Sequence, residues 1–188
     1  MTKIKRILLK WLLLSALTSV FFLVIYVTFQ QALRLTANYP QVQIAEDYAY
    51  LLSNADPFDS TRFSEKINIE RSLSSFVIIF NSNEYPVLTS GLLHGTIPHL
   101  PKGVLDNVKQ DKELKLTWQP ERGVRIASVI IAYNGKNTGF VLAGRSLRET
   151  ETTIGKIATI LGIGWIISLI SVLIVIAVNE YLFRNSET

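Results

Sequence analysis

Cysteine is absent from the 188 residues, histidine occurs twice and methionine once. The first absence excludes disulfides, thiol nucleophiles and cysteine-based metal sites; a domain of about 125 residues can bury a core without such staples, so export remains open. The two histidines, His94 and His99, titrate in the physiological range and invite a pH-sensing or metal reading. They are separated by Gly95-Thr96-Ile97-Pro98, which is not the i, i+4 spacing of a helical metal pair, and no tight carboxylate cluster supports them. They read as ordinary loop histidines. G-x-S-x-G, H-E-x-x-H, a phosphate-cradling P-loop and a paired-carboxylate signature are equally missing. No nucleophile, base and orienting group present themselves, so the expectation is a chain that is not an enzyme and that carries no cofactor and no metal.

Charge is the next scarcity, and it is local. Trp11 to Phe29 and Ile157 to Val178 contain no charged residue, and 48% of the chain is hydrophobic. Each window is close to the roughly 20 residues that cross about 30 Å of hydrocarbon, so both are expected to be transmembrane helices. Lys3, Lys5, Arg6 and Lys10 precede the first window. They would also suit the n-region of a cleaved signal peptide, but the apolar run exceeds the usual length and no clear A-x-A site follows; an uncleaved anchor is the better reading. The same four cations place the N-terminus in the cytoplasm, and two spans return the C-terminus there. The expected organisation is a cytoplasmic basic segment over 1–10, a span over 11–29, an extracellular domain over 30–156, a second span over 157–178 and a cytoplasmic tail over 179–188, in a bacterial cytoplasmic membrane.

Residues 30–156 hold 14 Lys+Arg against 13 Asp+Glu. Most of the formal +4 therefore sits in the N-terminal tetrad, and the basic pI reports topology; nucleic-acid binding is not supported.

Beyond Phe29 the chain stays helix-compatible to Ala37, where Asn38-Tyr39-Pro40 interrupts it: Pro40 either kinks one long helix or sits in the first turn of a second one capped by Asn38. Val42, Ala45, Tyr48, Ala49 and Leu52 recur at helical spacing and predict an amphipathic helix to about Asn54, ended by a turn at Asp56-Pro57-Phe58-Asp59. Phe63, Ile67 and Leu73 suggest short helical pieces over 60–74, with Asn68 as a cap. Phe76 to Phe80 and Tyr85 to Thr89 predict a hairpin across Asn81-Ser82-Asn83-Glu84, with Pro86 at an edge or strand start. A short helix over Gly103 to Gln110 and strands over Glu113 to Trp118, Val124 to Tyr133 and Thr138 to Gly144 complete an α+β domain on an antiparallel sheet. Ser146-Leu147-Arg148-Glu149 then reads as an S-x-x-E capping box that opens a helix running into the second span.

This order, with SSFVIIFNSNEYPVLTSG (Ser74 to Gly91), TWQPERGVRIASVIIAYNG (Thr117 to Gly135) and GFVLAGRSLRETE (Gly139 to Glu151), resembles the PAS-like (single Cache-like) extracellular sensor domains of bacterial two-component sensor histidine kinases. The resemblance covers about residues 7–178 and rests on pattern, without a catalytic signature. It implies a five-stranded antiparallel sheet, a long N-terminal helix packed on it and a dimer whose helices relay a signal. The ten residues after the second span cannot hold the kinase module of that family; for a chain complete as given, output is expected to pass through a separate partner.

The resemblance also places a ligand cavity near Arg125, Trp118 and Tyr133, where a cation with aromatic walls would suit a small carboxylate. Both faces of Val124 to Tyr133 are apolar enough that a solvent-facing Arg125 is an equal alternative. Arg145 either grips the ligand or a carboxylate of the N-terminal helix (Glu46, Asp47), or pairs locally with Glu149 and Glu151. Ser146, Leu147, Glu149 and Ile154 are the expected relay. Two stripes at seven-residue spacing, Leu147-Ile154-Leu161-Ser168 and Thr150-Ile157-Gly164-Ser171, with Ala158-x-x-x-Gly162, suggest homodimerisation through the exit helix. Two functions follow: a sensory domain that binds a small molecule or protein and signals through its spans, or a regulatory subunit without a ligand that docks on another membrane protein such as a sensor kinase. A polar-lined cavity around Arg125 would favour the first, a closed dry core the second.

Overall fold

The run Phe76-Val77-Ile78-Ile79-Phe80 has no polar alternation because the strand it forms is buried on both faces. The computed structural model describes residues 3–57 and 60–185; Phe58 and Asp59, half of the turn expected at 56–59, and tail residues 186–188 lie outside them. Helix α1 covers Lys3–Thr36 and α2 Tyr39–Asn54, followed by a 3-10 turn, Ser60–Phe63. Strands β1 (Ile67–Asn68), β2 (Phe76–Asn81), β3 (Pro86–Thr89) and β4 (Gly91–Leu92) precede α3 (Val104–Asp111). Then come β5 (Glu113–Glu121), β6 (Val124–Asn134), β7 (Thr138–Ser146) and α4 (Arg148–Asn185). Arg34–Glu151 form one compact unit; the helical segments up to Leu33 and from Thr152 form another.

In the first unit the five long strands make an antiparallel sheet in the order β3-β2-β7-β6-β5, so β7 is its centre. Pro86 is the first residue of edge strand β3, where its missing N–H leaves no gap in a ladder. Alternation along β2, β6 and β7 sends Val77, Ile79, Val129, Tyr133, Val141 and Ala143 to one face, against Ala45, Tyr48 and Ala49 of α2. It sends Phe76, Ile78, Phe80, Ile126, Ile130, Phe140 and Leu142 to the other, against Leu105 and Val108 of α3 and against Ile69, Leu93 and Trp118. The fold is therefore α+β, a five-stranded antiparallel sheet with α2 on one side and α3 on the other.

Two expectations change. Ile67 is in a strand, not a helical piece: β1 pairs in parallel with β4 through Ile67–Gly91 and Asn68–Leu92. Asn68 does cap, but a turn, its Oδ1 accepting from Glu70 N at 3.0 Å and Arg71 N at 3.3 Å. Asn38 occupies the N-cap position of α2 without a side-chain cap. Gln41 serves the other side of the break, the carbonyls that precede it. Fully buried, it is oriented so that its amide nitrogen donates to Ala37 O (2.6 Å) and Asn38 O (3.2 Å) while its oxygen accepts from Ser75 Oγ (3.2 Å). Pro40 ends the helical ladder here, and the polar side chain of the next residue covers carbonyls left at the break.

In the helical unit α1 and α4 run antiparallel. Trp11 Nε1 donates to Leu169 O at 3.1 Å, Trp165 Nε1 donates to Ser19 Oγ at 2.9 Å, and Lys10 Nζ lies 2.6 Å from Glu180 Oε1. Both helices are long and apolar enough to cross a membrane. Gly164 faces α1 of the same chain, where a Cβ would meet the Phe22 ring at 3.4 Å. Ser171 returns its hydroxyl to Ile167 O at 2.9 Å. The stripe expected to meet a second copy thus spends its central glycine on the chain's own first helix. The opposite face of α4 exposes Ile160, Ile163, Ile167, Ile170 and Ile174, each more than half accessible.

Candidate functional site

The sequence expects Trp118, Arg125 and Tyr133 around one cavity, and the pleat separates them. Trp118 packs in the α3-side core and donates from Nε1 to Ser128 Oγ at 2.9 Å. Tyr133 belongs to the α2-side core, its hydroxyl 3.5 Å from Phe80 O, and burial raises its pKa. Arg125, of the same parity as Tyr133 on β6, lies eight residues away at the strand's beginning. Period-two geometry makes the separation unavoidable, because Trp118 is registered opposite Ile126, whose parity is opposite to Arg125 and Tyr133.

Arg125 instead joins the place where β7 becomes α4. Its Nη1 donates to Glu151 Oε1 at 2.5 Å, and its carbonyl accepts from Leu147 N at 2.8 Å. Arg145, near the end of β7, donates from Nε to Leu73 O and from Nη2 to Glu149 Oε2, both at 2.8 Å. Of the alternatives for Arg145, the local carboxylate is the one observed. Arg148, the first residue of α4, reaches Glu70 O at 3.4 Å and Arg71 O at 2.7 Å. Three guanidinium groups thus tie one strand–helix junction to β6 and to the backbone of 70–73.

The capping box does not form as expected. Ser146 is the last residue of β7, registered with Ile126, and α4 starts at Arg148. The N-cap position therefore falls on buried Leu147, whose carbonyl accepts from Glu151 N at 2.8 Å. Ser146 Oγ still accepts from Arg148 N, at 3.3 Å, while Glu149 turns to Arg145. The ladder takes precedence because Ser146 ends a nine-residue strand in register with β6. Glu149 and Glu151 keep the favourable first-turn position for carboxylates at a helix N-terminus. Ile154, the last of the expected relay residues, lies on α4 and is half-buried.

The junction is held by side-chain ion pairs and backbone hydrogen bonds together. Its ion pairs are partly exposed, Arg125 and Glu151 at 41% and 43%, so each contributes under about 1 kcal/mol and exchanges readily with water or other partners. The backbone acceptors at Glu70, Arg71 and Leu73 were not legible in the sequence, which records no carbonyl direction.

A second feature is a cleft of about 400 Å³ between the β2–β3 hairpin and the 97–103 loop, lined by Phe80, Tyr85, Pro86, Ile97, His99 and Lys102 among others. Glu84 on its rim, with φ of 66°, is held by Lys109, whose pKa is raised chiefly by the hydrogen bond it donates there and by the one it donates to Asp106. His94 is paired elsewhere, 2.8 Å from Glu121 Oε2. Among the described residues no group of three His, Cys, Asp or Glu is placed to hold a metal. No family model matches the chain, and no match is found among curated proteins or solved structures.

Proposed function

We propose that the chain is a membrane-anchored sensory protein, with a PAS-like domain over 30–156 held outside a bacterial cytoplasmic membrane by spans at 11–29 and 157–178. It relays occupancy of that domain through α4 to a partner protein, without catalysis. The observation that carries this reading is the junction itself: the central strand of the sheet passes into α4 within one residue, and Arg125, Arg145 and Arg148 hold the first turn of that helix. A latch of individually weak pairs suits a relay, because a small input exchanges its partners. The exposed isoleucine face of α4 supports the membrane reading, since such a row in water would aggregate.

The second reading, a regulatory subunit without a ligand that docks on another membrane protein, is favoured by the dryness of both cores. Arg125 is engaged with Glu151, and the buried clusters on the two sheet faces are apolar apart from such pairs as Trp118 with Ser128. Purification of the full chain in mild detergent, with mass spectrometry of what accompanies it and a thermal-shift screen of small carboxylates, separates the two. A ligand that raises the melting temperature, and whose effect on α4 disappears in Arg125→Gln, supports the sensor. A stoichiometric membrane partner with no such ligand supports the subunit. A chain that fractionates with soluble proteins sinks both.

A further inference from the structure

At the end of the helical unit where α1 begins and α4 ends, a cavity of about 400 Å³ is lined by Lys10, Leu13, Leu14, Val175, Ile176 and Asn179. Its composition is layered. Lys10 is the last charge before the apolar window Trp11 to Phe29, and Asn179 is the first polar residue after Ile157 to Val178. Because the helices are antiparallel, these two polar groups stand at one level, and Leu13, Leu14, Val175 and Ile176 form walls about one turn deeper on both helices. A polar mouth over an apolar slot is the profile of a headgroup with the first part of its acyl chain.

The charges at the mouth select the headgroup. Lys10 donates to Glu180 at 2.6 Å and its side chain remains 56% exposed, so its ammonium, with three donors, is accessible to a further acceptor. Arg6 lies one turn back on the same face of α1, also exposed. Among the described residues, two cations against the carboxylate of Glu180 leave one net positive charge for a phosphate, with the Asn179 amide as a further donor. A choline headgroup would bring its own cation against Arg6 and Lys10. Inorganic phosphate would leave the apolar walls unused.

We propose that this cavity is a site for an anionic phospholipid, its phosphate on Lys10 and Asn179 and its acyl chain along Leu13, Leu14 and Val175; the inference rests on the membrane reading above. The test places the full chain in nanodiscs of mixed phosphatidylcholine and phosphatidylglycerol and counts retained lipids by native mass spectrometry. Retention of one phosphatidylglycerol at about fivefold preference is expected, given one net positive charge at the mouth. Lys10→Gln should abolish the preference, Lys10→Arg should keep it and Glu180→Gln should strengthen it. Glycerol 3-phosphate should not displace the lipid; displacement would overturn the lipid assignment. Equal retention of both lipids by the inserted wild type, or an unchanged preference in inserted Lys10→Gln, would overturn the site while leaving the membrane reading intact. A chain that alkaline carbonate extracts from membranes would overturn the membrane reading, and the site with it.

Discussion

Arg125 holds the start of α4 twice: its guanidinium donates to Glu151 at 2.5 Å and its carbonyl accepts from Leu147 N at 2.8 Å. The backbone bond extends the β6–β7 ladder one residue past the strand, and the ion pair reaches one turn further. A residue chosen from the sequence as a possible ligand contact is thus built into the exit of the domain.

The ion pair should matter more for the position of α4 than for stability. Both side chains are more than two-fifths exposed, so Arg125→Gln and Glu151→Gln should each cost less than about 1 kcal/mol in denaturant unfolding of the full chain in detergent. The swapped pair, Arg125→Glu with Glu151→Arg, should recover most of that loss. A cost of several kcal/mol in either single variant would mark a desolvated pair and contradict the latch.

Ser146→Ala should be mild. Ser146 Oγ accepts from Arg148 N at 3.3 Å, but the residue is held by the β6–β7 ladder, so the loss should fall at the low end for a capping residue, about 0.5 kcal/mol. A loss near 2 kcal/mol would restore Ser146 as the true cap of α4.

The limits of the sequence are visible in these same residues. Strands appear as apolar runs because both faces of β2, β6 and β7 are covered, and the β2–β3 hairpin was legible from its Asn-rich turn. Pairing was not: that Trp118 sits opposite Ile126, and so away from Arg125, depends on a register that apolarity on both faces leaves unmarked. The S-x-x-E motif carried a true local signal, the Ser146 to Arg148 bond, but could not weigh it against ladder bonds to a strand twenty residues earlier. Gln41 was discoverable: it falls on the same helical stripe as Ala45, Tyr48 and Ala49, and its place inside follows from that period.

Close packing at the centre of the sheet predicts larger effects. A Cβ on Gly144 would meet Phe76 Cζ at 2.5 Å, and one on Gly139 would run into the Phe80 carbonyl oxygen and, at 2.7 Å, the Tyr133 hydroxyl. Gly144→Ala should destabilise by about 1–3 kcal/mol, the range for overpacking a filled core, with partial relief in Gly144→Ala/Phe76→Leu. Gly139→Ala should cost at least as much, because a backbone carbonyl cannot rotate aside. Urea unfolding midpoints with unchanged slopes would check both.

Tyr133 predicts an alkaline limit. Burial raises its pKa above the ordinary 10.0, so below that value folded and unfolded chains both keep the proton and stability is indifferent to this group. Above it the unfolded chain releases the proton first. Stability then falls as pH rises, by at most about 1.4 kcal/mol per unit, until the folded residue titrates too. Tyr133→Phe should flatten this part of the profile while changing neutral-pH stability little, since the hydroxyl's bond to Phe80 O is long at 3.5 Å. An unchanged alkaline slope in the variant would assign the loss to other groups.

The pairing of α1 with α4 decides how single-cysteine cross-linking will read. Gly164 faces Phe22 within the chain, and Trp165 Nε1 donates to Ser19 Oγ nearby at 2.9 Å. Cysteines at 22 and 164 together should be bridged within one chain by a short bifunctional thiol reagent, since a Cβ at 164 reaches the far end of the Phe22 ring, seen as a mobility shift without a dimer band, while cysteine at 164 alone should give little covalent dimer. Cysteine at 163 or 167, on the exposed face, should cross-link between chains only if a second helix packs there. The chain has no native cysteine to confuse the result. Strong dimer from position 164 alone would show that this glycine meets a second copy, and the antiparallel pairing of α1 and α4 would have to give way to it.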